Sequence, residues 1–147
     1  MKGYMRWYDG QNTFENIKWT GDYLLYWWRS DAWDNPINLD CLSMTGWFTI
    51  SITFPKVMKG RYEVWIGMPR MGDVCDCRVS IDGACADIIY RGMLGSGDGG
   101  PQKVAEVDFK TTTEHTITVR NTHQGMLFWD YVAFDPIVES CERISFL

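Results

Sequence analysis

Residues 115–136 read HTITVRNTHQGMLFWDYVAFDP, two alternating runs on either side of a polar turn. In the first run Ile117 and Val119 point one way while Thr116, Thr118 and Arg120 point the other, the period of two of a half-buried strand. Asn121 to Gly125 supplies the turn. In the second run Phe128, Asp130, Val132 and Phe134 share one face and Leu127, Trp129, Tyr131 and Ala133 the other, so this strand is apolar on both sides and central. The two runs are expected to close as an antiparallel hairpin that the rest packs against. That places Asp130 among core residues, where a charge costs several kcal/mol unless it has hydrogen-bond donors, a cation or a raised pKa.

The same alternation extends outward. Phe48, Ile50, Ile52 and Phe54 form one row, with Trp47, Thr49, Ser51 and Thr53 behind it. After a turn at Pro55 to Gly60, Tyr62, Val64, Ile66 and Met68 point inward, and Arg61, Glu63 and Trp65 outward. Cys77, Val79 and Ile81 make a third inward row, ended by Asp82-Gly83, a strong hairpin turn signal. Ile88 to Tyr90 reads as a short strand, Arg91 to Pro101 as a mobile loop, and Ala105, Val107 and Phe109 as a fourth inward row before a turn at Thr111 to Glu114. Upstream, Met5–Tyr8, Thr13–Trp19 and Tyr23–Trp28 read as short strands on aromatic enrichment, and Arg29 to Asp40 as a long loop carrying Trp33. Short strands joined by turns, without a convincing amphipathic helix, predict an all-β fold: two antiparallel sheets packed face to face.

A chain of 147 residues fits one domain, able to bury roughly two-thirds of the surface its unfolded form exposes. Its net charge of −5 disfavours nucleic acid and anionic lipid as partners. No window approaches the ~20 apolar residues of a membrane span, so no membrane insertion of this domain is expected. Its start lacks a signal-peptide layout, consistent with a fragment of a longer exported chain. Aromatic residues make up 15%, including eight Trp, more than one core of this size readily absorbs. Some rings are therefore expected at the surface. Of the five cysteines, Cys75 and Cys77 point the same way on a strand, a poor geometry for pairing with each other. They read as small buried hydrophobes, with a disulfide to Cys85 as the alternative.

Five short motifs, in order, carry a resemblance. They are Phe54-Pro55, Gly60-Arg61-Tyr62, Val79 to Gly83, His115 to Ile117 and Asp130 to Val132, and together they resemble the galactose-binding-like jelly-roll domains, which include carbohydrate-binding modules. The stretch is also similar to the C-terminal domains that follow fasciclin-type domains in bacterial surface lipoproteins. The resemblance covers residues 46–136. It implies a jelly-roll sandwich, an extracellular or cell-surface setting and carbohydrate recognition. Calcium-binding relatives pair the final-strand acid with an early Glu-Ala-Glu-like run that is missing here, Glu15 being the nearest candidate. A structural calcium at Asp130 and a carboxylate held by backbone N–H groups both stand as readings.

Catalysis finds little support. His115 opens a strand, His123 sits in a turn as a solvated residue, and no Gly-x-Ser-x-Gly, His-Glu-x-x-His or Cys-His signature occurs. The Gly92–Gly100 loop lacks a Gly-Lys-Ser/Thr ending and a following helix, so it reads as a flexible loop at the sandwich edge. Sugars present apolar C–H faces ringed by hydroxyls, and a site for them needs a flat ring with a few polar groups. Trp33, flanked by Asp31, Asp34 and Asn35 with Arg29 nearby, offers that combination. Trp47 and Trp65, facing away from their inward rows, either line a binding face or are packed over by other segments. The expectation is a non-catalytic, cofactor-free module that binds carbohydrate. The alternative is a structural or interaction domain whose extra rings pack on a neighbouring protein domain.

Overall fold

Alternating side chains become strand wherever one face can be buried, and this chain offers that pattern along most of its length. The structure, a computed structural model, describes residues 3–5, 17–20, 25–28 and 40–138, with side chains from residue 45. In chain order the strands are β1 (Gly3–Met5), β2 (Ile17–Thr20), β3 (Leu25–Trp28), β4 (Asp40–Gly46), β5 (Thr49–Val57) and β6 (Gly60–Gly67). They continue with β7 (Cys77–Ile81), β8 (Ala84–Cys85), β9 (Gln102–Phe109), β10 (Thr113–Asn121), β11 (Gly125–Trp129) and β12 (Tyr131–Pro136). Among the described residues a single 3-10 turn, at Met93–Gly95, interrupts them. No helix among the described residues is long and apolar enough to cross a membrane.

Two sheets form the body, one in the order β2-β5-β10-β7-β8 and the other β1-β12-β6-β9, with β11-β4-β3 as a smaller third. Every strand pairing is antiparallel. Phe48, Ile50, Ile52 and Phe54 are all buried, as their spacing predicts, and so are Ile117 and Val119 beside them. Val64, Ile66, Val132 and Phe134 answer from the facing sheet, and the edge-to-face pair Phe54–Phe134, centroids 5.6 Å apart, joins the two layers. The expected all-β class and antiparallel sandwich are what the chain forms.

The expected hairpin is not. β10 pairs with β5 on one side and β7 on the other, whereas β11 pairs with β4, so the two runs of 115–136 lie in different sheets. Nor is the second run one strand. It breaks at Asp130, whose backbone N–H donates to the Gly67 carbonyl at 2.8 Å, and resumes as β12 between β1 and β6. A segment that changes sheets meets different neighbours before and after the break, which is why residues on both of its faces are buried.

Two irregularities set the phase of other strands. β5 runs through Pro55 to Val57, where a turn was expected, and the register against β10 slips between Thr113 and His115, so the proline sits at a bulge that tolerates its missing N–H. The register of β9 against β6 slips between Val64 and Trp65 of β6, adding Val104 to the buried set beside Phe109, while Ala105 and Val107 are half-buried and packed against the core. The segment Ile88–Tyr90 makes only an isolated bridge, Cys77 to Tyr90.

The glycine-rich segment 91–101 is tied to the body. Asp76 accepts from the Gly92 N–H at 2.9 Å, Tyr90 donates its hydroxyl to the Gly100 carbonyl at 2.7 Å, and Gln102 donates to the Arg91 and Gly99 carbonyls. A Cβ at Gly92 would stand 2.2 Å from the Val74 carbonyl oxygen. The glycines serve close packing of this segment on the sheet edge.

Candidate functional site

Of the residues picked from the sequence as a binding set, Arg29, Asp31, Trp33, Asp34 and Asn35 lie outside the described residues. Trp47 and Trp65 are both described, and they are not brought together. Trp65 lies on the outer row of β6, half-buried, its indole N–H donating to Glu63 at 3.3 Å. Lys103 pairs with the same carboxylate at 3.2 Å. The hydrogen bonds from Lys103 and then Trp65 hold the Glu63 carboxyl below its usual range. That indole is committed to an intramolecular contact on the outside of one sheet.

Trp47 stands at the entrance to β5 in the other sheet and is 57% exposed, alongside Met58 the most exposed of the large apolar side chains described. Its position is set by a buried amide. Asn121, the last residue of β10 rather than part of a turn, is 4% exposed and accepts from the Phe48 N–H at 3.0 Å. Its Nδ2 donates to the carbonyls of Gly46 and His123. Gly46 supplies the positive φ, 81°, that turns the chain from β4 into β5. The clamp seats Phe48 in the core and leaves Trp47 outside.

The result is a cleft of about 400 Å3 lined by Trp47, Phe48, Thr49, Arg120, Asn121 and Thr122. It opens onto the outward row of the sheet, where Thr49 lies opposite Arg120 and Arg120 opposite Arg78. Further along the same face Ser51 and Thr118 share a hydrogen bond of 2.7 Å, and Thr53 and Thr116 one of 2.9 Å. A flat ring, a guanidinium and hydroxyls border one open surface. The sequence already set Thr49 in one outward row with Trp47, but Arg120 was legible only as the polar half of another alternation and Thr122 only as part of a turn, with nothing to set those two beside Trp47.

Elsewhere, several polar side chains are occupied structurally. His115 stacks on Phe109 with centroids 3.6 Å apart, and its Nδ1 lies 2.6 Å from Asp82. Asp82 takes φ of 51° in the hairpin turn and also accepts from the Thr116 N–H. His123, expected to be solvated, is engaged: its Nε2 accepts from the Asp76 N–H at 3.1 Å, which leaves the proton on Nδ1, 3.2 Å from the Gln124 carbonyl. Cys75 and Cys77 are fully buried with sulfurs 3.9 Å apart, while Cys85 is exposed and its sulfur faces Ser80, so the alternative disulfide to Cys85 is not formed. The hydrogen bond between the two buried thiols lowers Cys75 and raises Cys77. A second cleft, about 490 Å3, lies between the edge strands β8 and β9, with Ile81, Ile88, Lys103 and Glu106 among its walls.

Asp130 is 1% exposed at the β11–β12 junction. Among the described residues no group of three or more His, Cys, Asp or Glu is gathered to hold a metal ion. Glu15, the proposed companion acid, lies outside them. The described residues alone do not make a calcium site of Asp130.

No protein-family model matches the chain, and no curated protein matches it. Solved structures do. The CBM36-1 domain of a multidomain xylanase from the hindgut metagenome of Trinervitermes trinervoides superposes with a TM-score of 0.51 at 15% identity, over 85% of this chain and 94% of that one. The fold is shared with a carbohydrate-binding module. A GH26-CBM35 β-(1,4)-mannanase of Podospora anserina matches with a TM-score of 0.53 at 12% identity, over 84% of this chain. An exo-β-1,3-galactanase of Phanerochaete chrysosporium, solved with β-1,3-galactotriose, matches with 0.53 at 16% identity, over 82%. The chain covers 28% and 27% of the length of those two enzymes.

Proposed function

We propose that this chain is a non-catalytic carbohydrate-recognition module, with Trp47 as the ring on which a sugar stacks. The observation that carries the reading is the 57% exposed indole, fixed by the Asn121 clamp in a cleft beside Arg120, Thr49 and Thr122. An indole left in water gives up much of the burial free energy of a large aromatic, and the C–H face of a pyranose is a partner that recovers it. The likeness of fold to CBM36-1 supports the reading, as does the presence of carbohydrate-active enzymes among the similar structures. The module works outside the cell, in a bacterial surface lipoprotein, as the resemblance of residues 46–136 implies. The loop of Arg29, Asp31, Trp33, Asp34 and Asn35 is a second contact of the same kind.

Titration of intrinsic tryptophan emission with oligosaccharides tests this. The expected result is a saturable change that Trp47→Ala abolishes while leaving Tm within a degree or so, since surface substitutions stay within about 0.5 kcal/mol. A response that survives Trp47→Ala but is lost in Trp33→Ala moves the site to the loop. No response to any glycan overturns the reading. In that event the cleft between β8 and β9, with Ile88 49% exposed, favours the interaction-domain alternative. A structural calcium at Asp130 is a separate proposal, and it predicts that a chelator lowers Tm of the wild type but not of Asp130→Asn. An unchanged wild-type Tm removes it.

A further inference from the structure

Arg78 and Arg120 lie directly opposite each other on neighbouring antiparallel strands, β7 and β10, and therefore share the outward face of the sheet. Like charges in that arrangement destabilise the pairing. Among the described residues nothing relieves them: neither guanidinium has an ion pair or a hydrogen bond there, although the chain as a whole carries 19 acids against 14 bases. The acids nearest to them along β7 are held elsewhere. Asp76 is occupied by the Gly92 N–H and by Arg91, and Asp82 by the Thr116 N–H and His115. Arg120 also lines the cleft under Trp47.

We infer that the Trp47 face recognises an acidic glycan, whose carboxylate or sulfate is clamped by Arg78 and Arg120. The inference rests on the reading of that face as a sugar site and names the class of sugar. Strands lie about 4.8 Å apart, so two guanidiniums from opposed positions converge on one anionic group, and each offers a planar fork matched to two of its oxygens. The indole then covers the C–H face of the charged residue or its neighbour. Hydroxyls of Thr49 and Thr122 border the same cleft. A neutral chain would leave the opposed cations unrelieved.

The test compares three probes by calorimetric titration: an oligogalacturonide, a neutral galacto-oligosaccharide of equal length, and a sulfated galactan fragment. Charge-assisted hydrogen bonds should favour an acidic probe by about tenfold or more over the neutral one. High salt should erase that preference. Arg120→Gln and Arg78→Gln should each remove most of it while leaving residual neutral binding, and Arg120→Lys, which keeps the charge without the fork, should restore part. Whichever acidic probe binds better identifies the anionic group. Equal affinity for acidic and neutral probes, or preference unchanged in both Gln variants, overturns the inference while the sugar-binding reading stands. Acidic binding indifferent to Trp47→Ala overturns it too, since the face would then hold an anion without its sugar. Failure of all three probes to bind overturns the inference, and the wider oligosaccharide titration then decides the sugar-binding reading.

Discussion

Asn121 holds the candidate site together without touching what would occupy it. Its amide satisfies the Phe48 N–H and the Gly46 and His123 carbonyls from a position almost closed to water. Asn121→Ala leaves a buried donor and acceptors without partners, and should cost about 2–3 kcal/mol in urea unfolding. Glycan affinity should fall with it, because Trp47 loses its anchor. A destabilised variant with unaltered affinity would show that the indole is positioned by something else. From the sequence, Asn121 is one polar residue opening the turn Asn121–Gly125, and its burial follows from a contact across 73 residues. No local pattern carries that information. Trp47 is different: alternation with Phe48 already placed it outside.

At the scale of elements, segment 91–101 shows how a loop with five glycines can be well anchored. Gly92 abuts the carbonyl oxygens of Val74 and Cys75, and Gly95 abuts the Asp76 carboxylate. Gly92→Ala places a methyl group against backbone that cannot rotate away, so the segment should lift off and be cut by proteases at concentrations that spare the wild type. Equal resistance in limited proteolysis would mean that the anchors at Tyr90 and Gln102 suffice. Glycine content alone reads as flexibility, whereas here it marks close approach of backbone to backbone. The break at Asp130 has the same character: the sequence alternates without interruption from Leu127 to Phe134, and only the pairing of β11 with β4 and of β12 with β6 divides it.

For the molecule as a whole, stability should have an alkaline limit set in part by Tyr90. Its phenol is fully buried, and burial pushes its pKa well above the ordinary tyrosine range. The folded state thus keeps the proton that an unfolded chain releases near pH ~10. A group with a raised folded pKa stabilises fully below the unfolded value and loses that contribution as pH climbs toward the folded one. The urea midpoint should therefore drop between about pH 9.5 and 11 more steeply in the wild type than in Tyr90→Phe. Parallel slopes would show that other groups govern the decline.

Residue order was enough to show an all-β sandwich, which side of β5, β6, β7 and β10 faces the core, and that Trp47 lies on the side away from it. Those conclusions depend on period-two alternation, a local property of each strand. Which strands are neighbours, where the chain crosses between sheets, and that Arg78 stands opposite Arg120, which lines the Trp47 cleft, emerged only with the three-dimensional arrangement. Register and sheet order come from contacts between residues dozens of positions apart, and alternation is the same whichever partner a strand takes.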